Sequence, residues 1–121
     1  LLNLARVVHR MNDEGKRATY LAGADLLNKS LAITPMSPLE SGTSGNLRKS
    51  GKVENGVDSK GAFSKVSFGD SRVDYALKVH EVEARQYSEP GTQWKYLETP
   101  LKENSSKYLS DIAKATKRGL K

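Results

Sequence analysis

The chain contains no cysteine, which removes disulfides, thiolate metal ligands and cysteine nucleophiles at once. Histidine is nearly as scarce, with only His9 and His80, so a catalytic triad or a zinc site has little to be built from. Aromatic residues make up 7% of the 121 residues and include a single tryptophan. No apolar run approaches the roughly 20 residues needed to span a bilayer, and the opening residues do not read as a signal peptide. No Gly-x-x-x-x-Gly-Lys-Ser/Thr loop and no Gly-x-Ser-x-Gly elbow is present. These absences argue against an enzyme, a metal protein, a cofactor carrier and a membrane span.

What is present is charge. Charged residues are 28% of the chain and the formal net charge is +6. Residues 91–121 hold seven Lys/Arg against three Asp/Glu, so most of the excess is C-terminal. Lys114, Lys117 and Arg118 near the end are candidates for contact with DNA or an acidic partner. They also suit a helix C-terminus, where positive charge is mildly favourable. A small core with a large polar remainder makes an oligomer plausible.

The length suits one domain. Residues 1–33 read as one long helix, because Leu4, Val8, Met11, Gly15, Ala18, Ala22 and Leu26 recur at three- or four-residue spacing. Pro35 should end it. Residues 34–46, rich in Ser and Gly, read as a flexible loop. Residues 47–91 should hold two strands, near 47–54 and 62–69, joined by a loop over 55–61 rather than a tight turn. In "AFSKVSFGD" both faces are mixed, so that strand should be covered on both sides. A short helix over 71–83 should follow, with Ser71 and Asp74 resembling a capping box. Residues 92–118 should form a turn and then a terminal helix, with Thr99 as cap and Pro100 at the first helical position. The expected class is α+β: a long N-terminal helix, a small antiparallel sheet with a short helix, and a C-terminal helix packed on the sheet. The expected core residues are Val8, Met11, Ala22, Leu26, Val66, Phe68, Tyr75, Ala76, Val79, Trp94, Leu97, Leu101, Tyr108 and Ile112.

One stretch invites a chemical reading. In "SRVDYALKVHEVEA", residues 71–84, His80 is followed by Glu81 and Glu83. Neighbouring residues on a helix point about 100° apart, so His80 and Glu81 do not share a face. His80 with Glu83 supplies two ligands at best, with no second cluster to complete a site. The three residues read instead as polar contacts at an edge, facing a neighbouring subunit. Leu47, Arg48, Lys49 and Arg85 join them as interface candidates.

The ordered set of landmarks resembles a known family. "TPMSPLESGTSGNLRKSGKV" is followed by "KVSFGDSRVDYALKVHE" and then by "EPGTQWKYLETPLKEN". This order is similar to the tail-completion, or head–tail joining, proteins of tailed bacteriophages, also described as neck, minor capsid or tail-component proteins. The matching positions run from Pro38 to Ser50, with a longer Ser/Gly insert than usual. They continue through Tyr75, Ala76, Val79, His80 and Glu81 to Trp94, Leu97, Pro100 and Leu101. The resemblance implies a structural virion protein that forms a ring, sixfold, in the neck. Its implied neighbours are connector or stopper proteins and tail terminator or tail tube proteins, with genomic DNA passing through the lumen. It implies no cofactor, no small-molecule substrate, no membrane and no active site, and assembly in the host cytoplasm. Tight grip on DNA would hinder ejection, so most basic residues should face protein neighbours. The alternative is a small basic DNA-binding domain.

Overall fold

The computed structural model describes residues 2–9 by their backbone, and residues 12–35, 45–70, 73, 75–84, 87 and 91–120. The chain opens with a strand, β1 (Leu2–His9), not with a helix. Two of the residues read above as a helical stripe, Leu4 and Val8, sit in "LNLARVVH", where together with Leu2 they equally fit a period of two; Gly15, Ala18, Ala22 and Leu26 are helical. Pairing with a partner far along the chain decides between the two periods. The side chains of Val8 and Met11, both expected in the core, lie outside the described residues.

Helix α1 (Asp13–Ile33) begins where Asn12 provides a cap. The Asn12 side chain accepts a hydrogen bond from the Gly15 N–H at 2.7 Å, and its amide donates to the Thr116 carbonyl at 3.0 Å. Asp13 and Glu14 place negative charge in the first turn, where the helix dipole favours it. The helix stops before Pro35, as the sequence indicates, with Thr34 extended.

A single turn, α2 (Asn46–Lys49), follows Gly45, whose φ is +82°. It replaces the start of the strand expected at 47–54. Strands β2 (Lys52–Asp58) and β3 (Gly61–Phe68) form a hairpin. The turn is tight after all and lies at Ser59-Lys60, where the Asp58 carboxylate accepts from the Lys60 N–H at 2.9 Å. Asn55-Gly56 is inside the strand instead. Gly56 pairs across from Phe63, and a Cβ there would come within 2.8 Å of the Phe63 ring. That glycine supplies room for a ring rather than a turn.

The sheet has the order β1-β3-β2, antiparallel throughout. The central strand β3 buries one face, with Ala62, Ser64, Val66 and Phe68; on the other face Ser67 is buried but Phe63 and Lys65 are only partly so, and the expected cover on both sides is not complete. Beyond it come α3 (Ala76–Glu81) and α4 (Glu98–Gly119). Ser71 and Asp74, the expected capping box, lie outside the described residues; Tyr75 holds the N-cap position of α3.

The expected α+β class holds. Helix α1 lies on the sheet, and α4 packs along α1 and reaches the sheet at β1. The two helices are antiparallel: Asn12 meets Thr116 at one end and Lys29 meets Asn104 at the other. The buried side of α1 is made of Gly15, Thr19, Ala22, Gly23, Leu26 and Ser30. Small side chains let the helix axis come close to the strands. The core joins Ala22, Leu26, Leu47, Val66, Phe68, Val73, Ala76, Tyr96, Leu97 and Tyr108. Tyr75, Val79 and Leu101 are partly buried against it, and Ile112 is buried on α4.

Candidate subunit-interface site

The expected interface and DNA- or partner-contact residues separate into three places. Leu47 is buried in the core and is not available to a neighbour. Its position on the one-turn α2 aims it inward, while Lys49 is exposed. Arg48 turns back to donate from Nε to the Thr34 carbonyl at 2.9 Å, tying α2 to the end of α1. Arg85 lies outside the described residues, and Glu83 is exposed.

His80 departs most from expectation. It is fully buried rather than at an edge. On α3, His80 is four residues from Ala76, so both sit on the buried face. The spacing was readable; the imidazole disguised it. The ring is held on three sides. Its Nε2 accepts from the Glu98 N–H at 3.2 Å, at the start of α4. That assigns the proton to Nδ1, which donates to Glu81 at 3.1 Å. The Tyr96 ring meets it edge-on, with centroids 5.0 Å apart. Burial pushes the His80 pKa below its ordinary value, and the bond to Glu81 opposes this only in part.

Around the imidazole, α3 and the turn before α4 are stitched together. The His80 carbonyl accepts from the Lys95 N–H at 2.9 Å, and the Ala76 carbonyl from the Tyr96 hydroxyl at 2.7 Å. Lys95 has a positive φ of 54°, uncommon for a residue with a side chain. In that conformation its ammonium bonds Glu81 and lies 3.3 Å from Glu98. The Lys95 ammonium holds both carboxyls below the usual range, and its own pKa is raised, first by Glu81. Lys102 adds a further ion pair with Glu98 at 3.4 Å. Burial keeps the Tyr96 hydroxyl protonated well past the usual phenol range. Trp94, expected in the core, is only half buried and sits under the Lys95 ammonium. The anchoring aromatic is Tyr96, two residues on, wedged between Phe68 and His80.

The third place is the α1–α4 seam. Tyr108 donates to Asp25 at 2.6 Å, and Lys29 bonds both Asp25 and Asn104. Beside this seam runs an open groove of about 450 Å³, with Ala18 and Ala22 on one side and Lys114 and Arg118 on the other. Lys114, Lys117 and Arg118 are all exposed near the end of α4. Leu21 projects into water beside the groove, and Leu77 and Val82 are exposed on the α3 shoulder. Among the described residues no three His, Asp or Glu side chains gather as a metal site would require, and no helix is long and apolar enough to cross a membrane. Comparison of the chain with protein-family models, curated proteins and solved structures finds no match in any of the three.

Proposed function

We propose that this chain is a structural subunit of a tailed-bacteriophage neck. It would form a ring, sixfold, that completes the tail or joins it to the portal complex and lets DNA through. One observation supports this reading above the rest. Two landmarks of the resemblance, "YALKVHE" at 75–81 and "WKYLETPL" at 94–101, are separated in sequence and meet in one joint through His80, Lys95, Tyr96 and Glu98. A motif pair that folds into one shoulder suits a part whose work is mechanical. The exposed Leu77, Val82 and Glu83 on that shoulder, together with Leu21 and Lys49, are available to neighbouring subunits.

Native mass measurement and negative-stain imaging of the purified protein test the reading, with co-purification alongside portal and tail proteins as a second arm. A closed ring, or capture of those neighbours, supports it. A second reading draws on the exposed Lys114, Lys117 and Arg118. A small DNA-binding domain would stay monomeric and hold duplex DNA with an affinity that falls steeply as salt rises. That pair of results would displace the ring.

A further inference from the structure

We propose that the joint between α3 and α4 is an acid-opened latch: a proton taken up on His80 Nε2 removes the acceptor of the Glu98 N–H and frees α3 from the start of α4. The inference does not depend on the ring reading.

The geometry supplies the reason. Neutral imidazole has one donor and one acceptor, and the joint uses both: Nδ1–H toward Glu81 and the Nε2 lone pair toward the Glu98 N–H. Imidazolium has two donors and no acceptor. Its new N–H would point at another N–H inside a fully buried pocket. The pocket also opens onto the first turn of α4, the end of a helix that repels positive charge. Among the described residues the charged and titratable groups facing the ring are Glu81 on its own helix, Lys95 and Tyr96 from the turn, and Glu98 from α4. Glu81 and Glu98 favour the imidazolium; burial and Lys95 oppose it, and burial is the largest influence. Water offers the imidazolium what the pocket does not, so the ring leaves.

Opening is local because α3 is short and held by few bonds. It has six residues. Among the described residues its polar ties across the joint are the Glu98 N–H to imidazole bond, the Lys95 N–H to His80 carbonyl bond, the Tyr96 hydroxyl to Ala76 carbonyl bond and the Glu81–Lys95 ion pair. Helix α1, the hairpin and the body of α4 are held by separate contacts. An opened latch uncovers Tyr96, which is wholly buried when it is closed.

The sign follows from linkage. The folded-state pKa of His80 lies below the ordinary value of 6.5. Closure is therefore at full strength above that value and is lost as pH falls from it through the folded pKa.

The test uses the full chain in solution, followed by NMR from about pH 7.5 to about pH 5, the range that brackets free histidine. The imidazole resonances report protonation, and amide exchange, corrected for its intrinsic pH dependence, reports opening. The expected result is a His80 ring still neutral where free histidine is half charged. Its protonation should come with an exchange rate at Glu98 raised about tenfold or more, while Leu26 on α1 stays protected. Glu81→Gln should lower the closed-state pKa of His80 further and removes the tie to Lys95, so it should increase opening at a given acid pH. His80→Gln places a non-titrating acceptor near Nε2 and should keep Glu98 protected across the range. A His80 ring that charges at or above the ordinary pKa with Glu98 still protected overturns the latch. So does simultaneous loss of protection at Glu98 and Leu26, or an unchanged acid response in His80→Gln. If that variant does not fold, the wild-type titration and exchange decide alone.

Discussion

Gly23→Ala should destabilise the protein, although helix chemistry alone gives the opposite sign. In a helix interior alanine is favoured over glycine by about 1 kcal/mol. The surroundings oppose that gain. A Cβ built on Gly23 lies 1.7 Å from Ser64 Oγ, 2.7 Å from Ser64 Cβ and 3.2 Å from Val53 Cγ2. The hydroxyl can rotate away, but Ser64 Cβ is fixed to β3. Either α1 lifts from the sheet or the strand bends. Overpacking of this kind costs about 1–3 kcal/mol, and a clash with a strand Cβ belongs at the upper end. Subtracting the gain in propensity leaves a net loss of about 2 kcal/mol. Urea unfolding measures it as a lower midpoint at unchanged slope. Ser64→Gly is the companion change. The Ser64 hydroxyl is buried without a hydrogen-bond partner, so removing it forfeits little beyond about 0.5–1 kcal/mol for glycine in a strand. In the double variant the clash is gone, and alanine's propensity gain returns. The cycle should show a coupling of about 2–3 kcal/mol. A Gly23→Ala protein with a raised midpoint, or a coupling near zero, would mean that α1 does not press on β3 at this point.

Other outcomes follow from single interactions. Asn12→Ala loses both the cap and the bond to Thr116, and should cost about 1–3 kcal/mol in thermal or urea melts; Asn12→Asp keeps the cap and should cost less. Tyr96→Phe removes the donor to the Ala76 carbonyl inside the core and should cost about 1–2 kcal/mol. Asp25 has its pKa lowered from 3.8, chiefly by Lys29 and then by Tyr108, so its contribution is present above that value and fades as pH falls below it; Asp25→Asn should flatten that part of the acid-stability profile. Changing Lys114, Lys117 and Arg118 together to Gln should leave monomer stability within about 0.5 kcal/mol, since all three are exposed. Under the ring reading the change acts on assembly; under the DNA reading it flattens the salt dependence of binding, by about 0.9 in log–log slope for each phosphate no longer neutralised.

Helix α1 after residue 12 and helix α4 were legible because their signals are local; the single turn α2 was not, since it stands where a strand was expected. Pro35 stops α1 and Pro100 lies in the first turn of α4, both through backbone chemistry that neighbours do not change, although the cap is Leu97 rather than Thr99 and Pro100 is the third helical residue rather than the first. The strand β1 was not legible as a strand. Its residues fit two periods, and the choice is made by β3, 53 residues on at the His9–Ala62 pair. Asn55-Gly56 misled for a related reason: the glycine answers to Phe63 across the ladder rather than to a turn. His80 shows the limit of reading by residue type. Its i, i+4 relation to Ala76 marks the buried face, while its chemistry suggests the surface. The bond that makes burial tolerable comes from Glu98, 18 residues away.

The position of β1 at the sheet edge also sets an order of events in time. Among the described residues its one strand partner is β3, and the pair at its start, Leu2 with Phe68, closes a loop of 66 residues. The β2–β3 hairpin closes across two residues and α1 is local, so both can form while β1 still has nothing to pair with. During synthesis β1 stays without its strand partner until β3 has been made. Until it docks, one side of β3 is an open template for any strand nearby, including β1 of another copy. Exchange of β1 between chains is therefore the misassembly that this topology invites at high concentration.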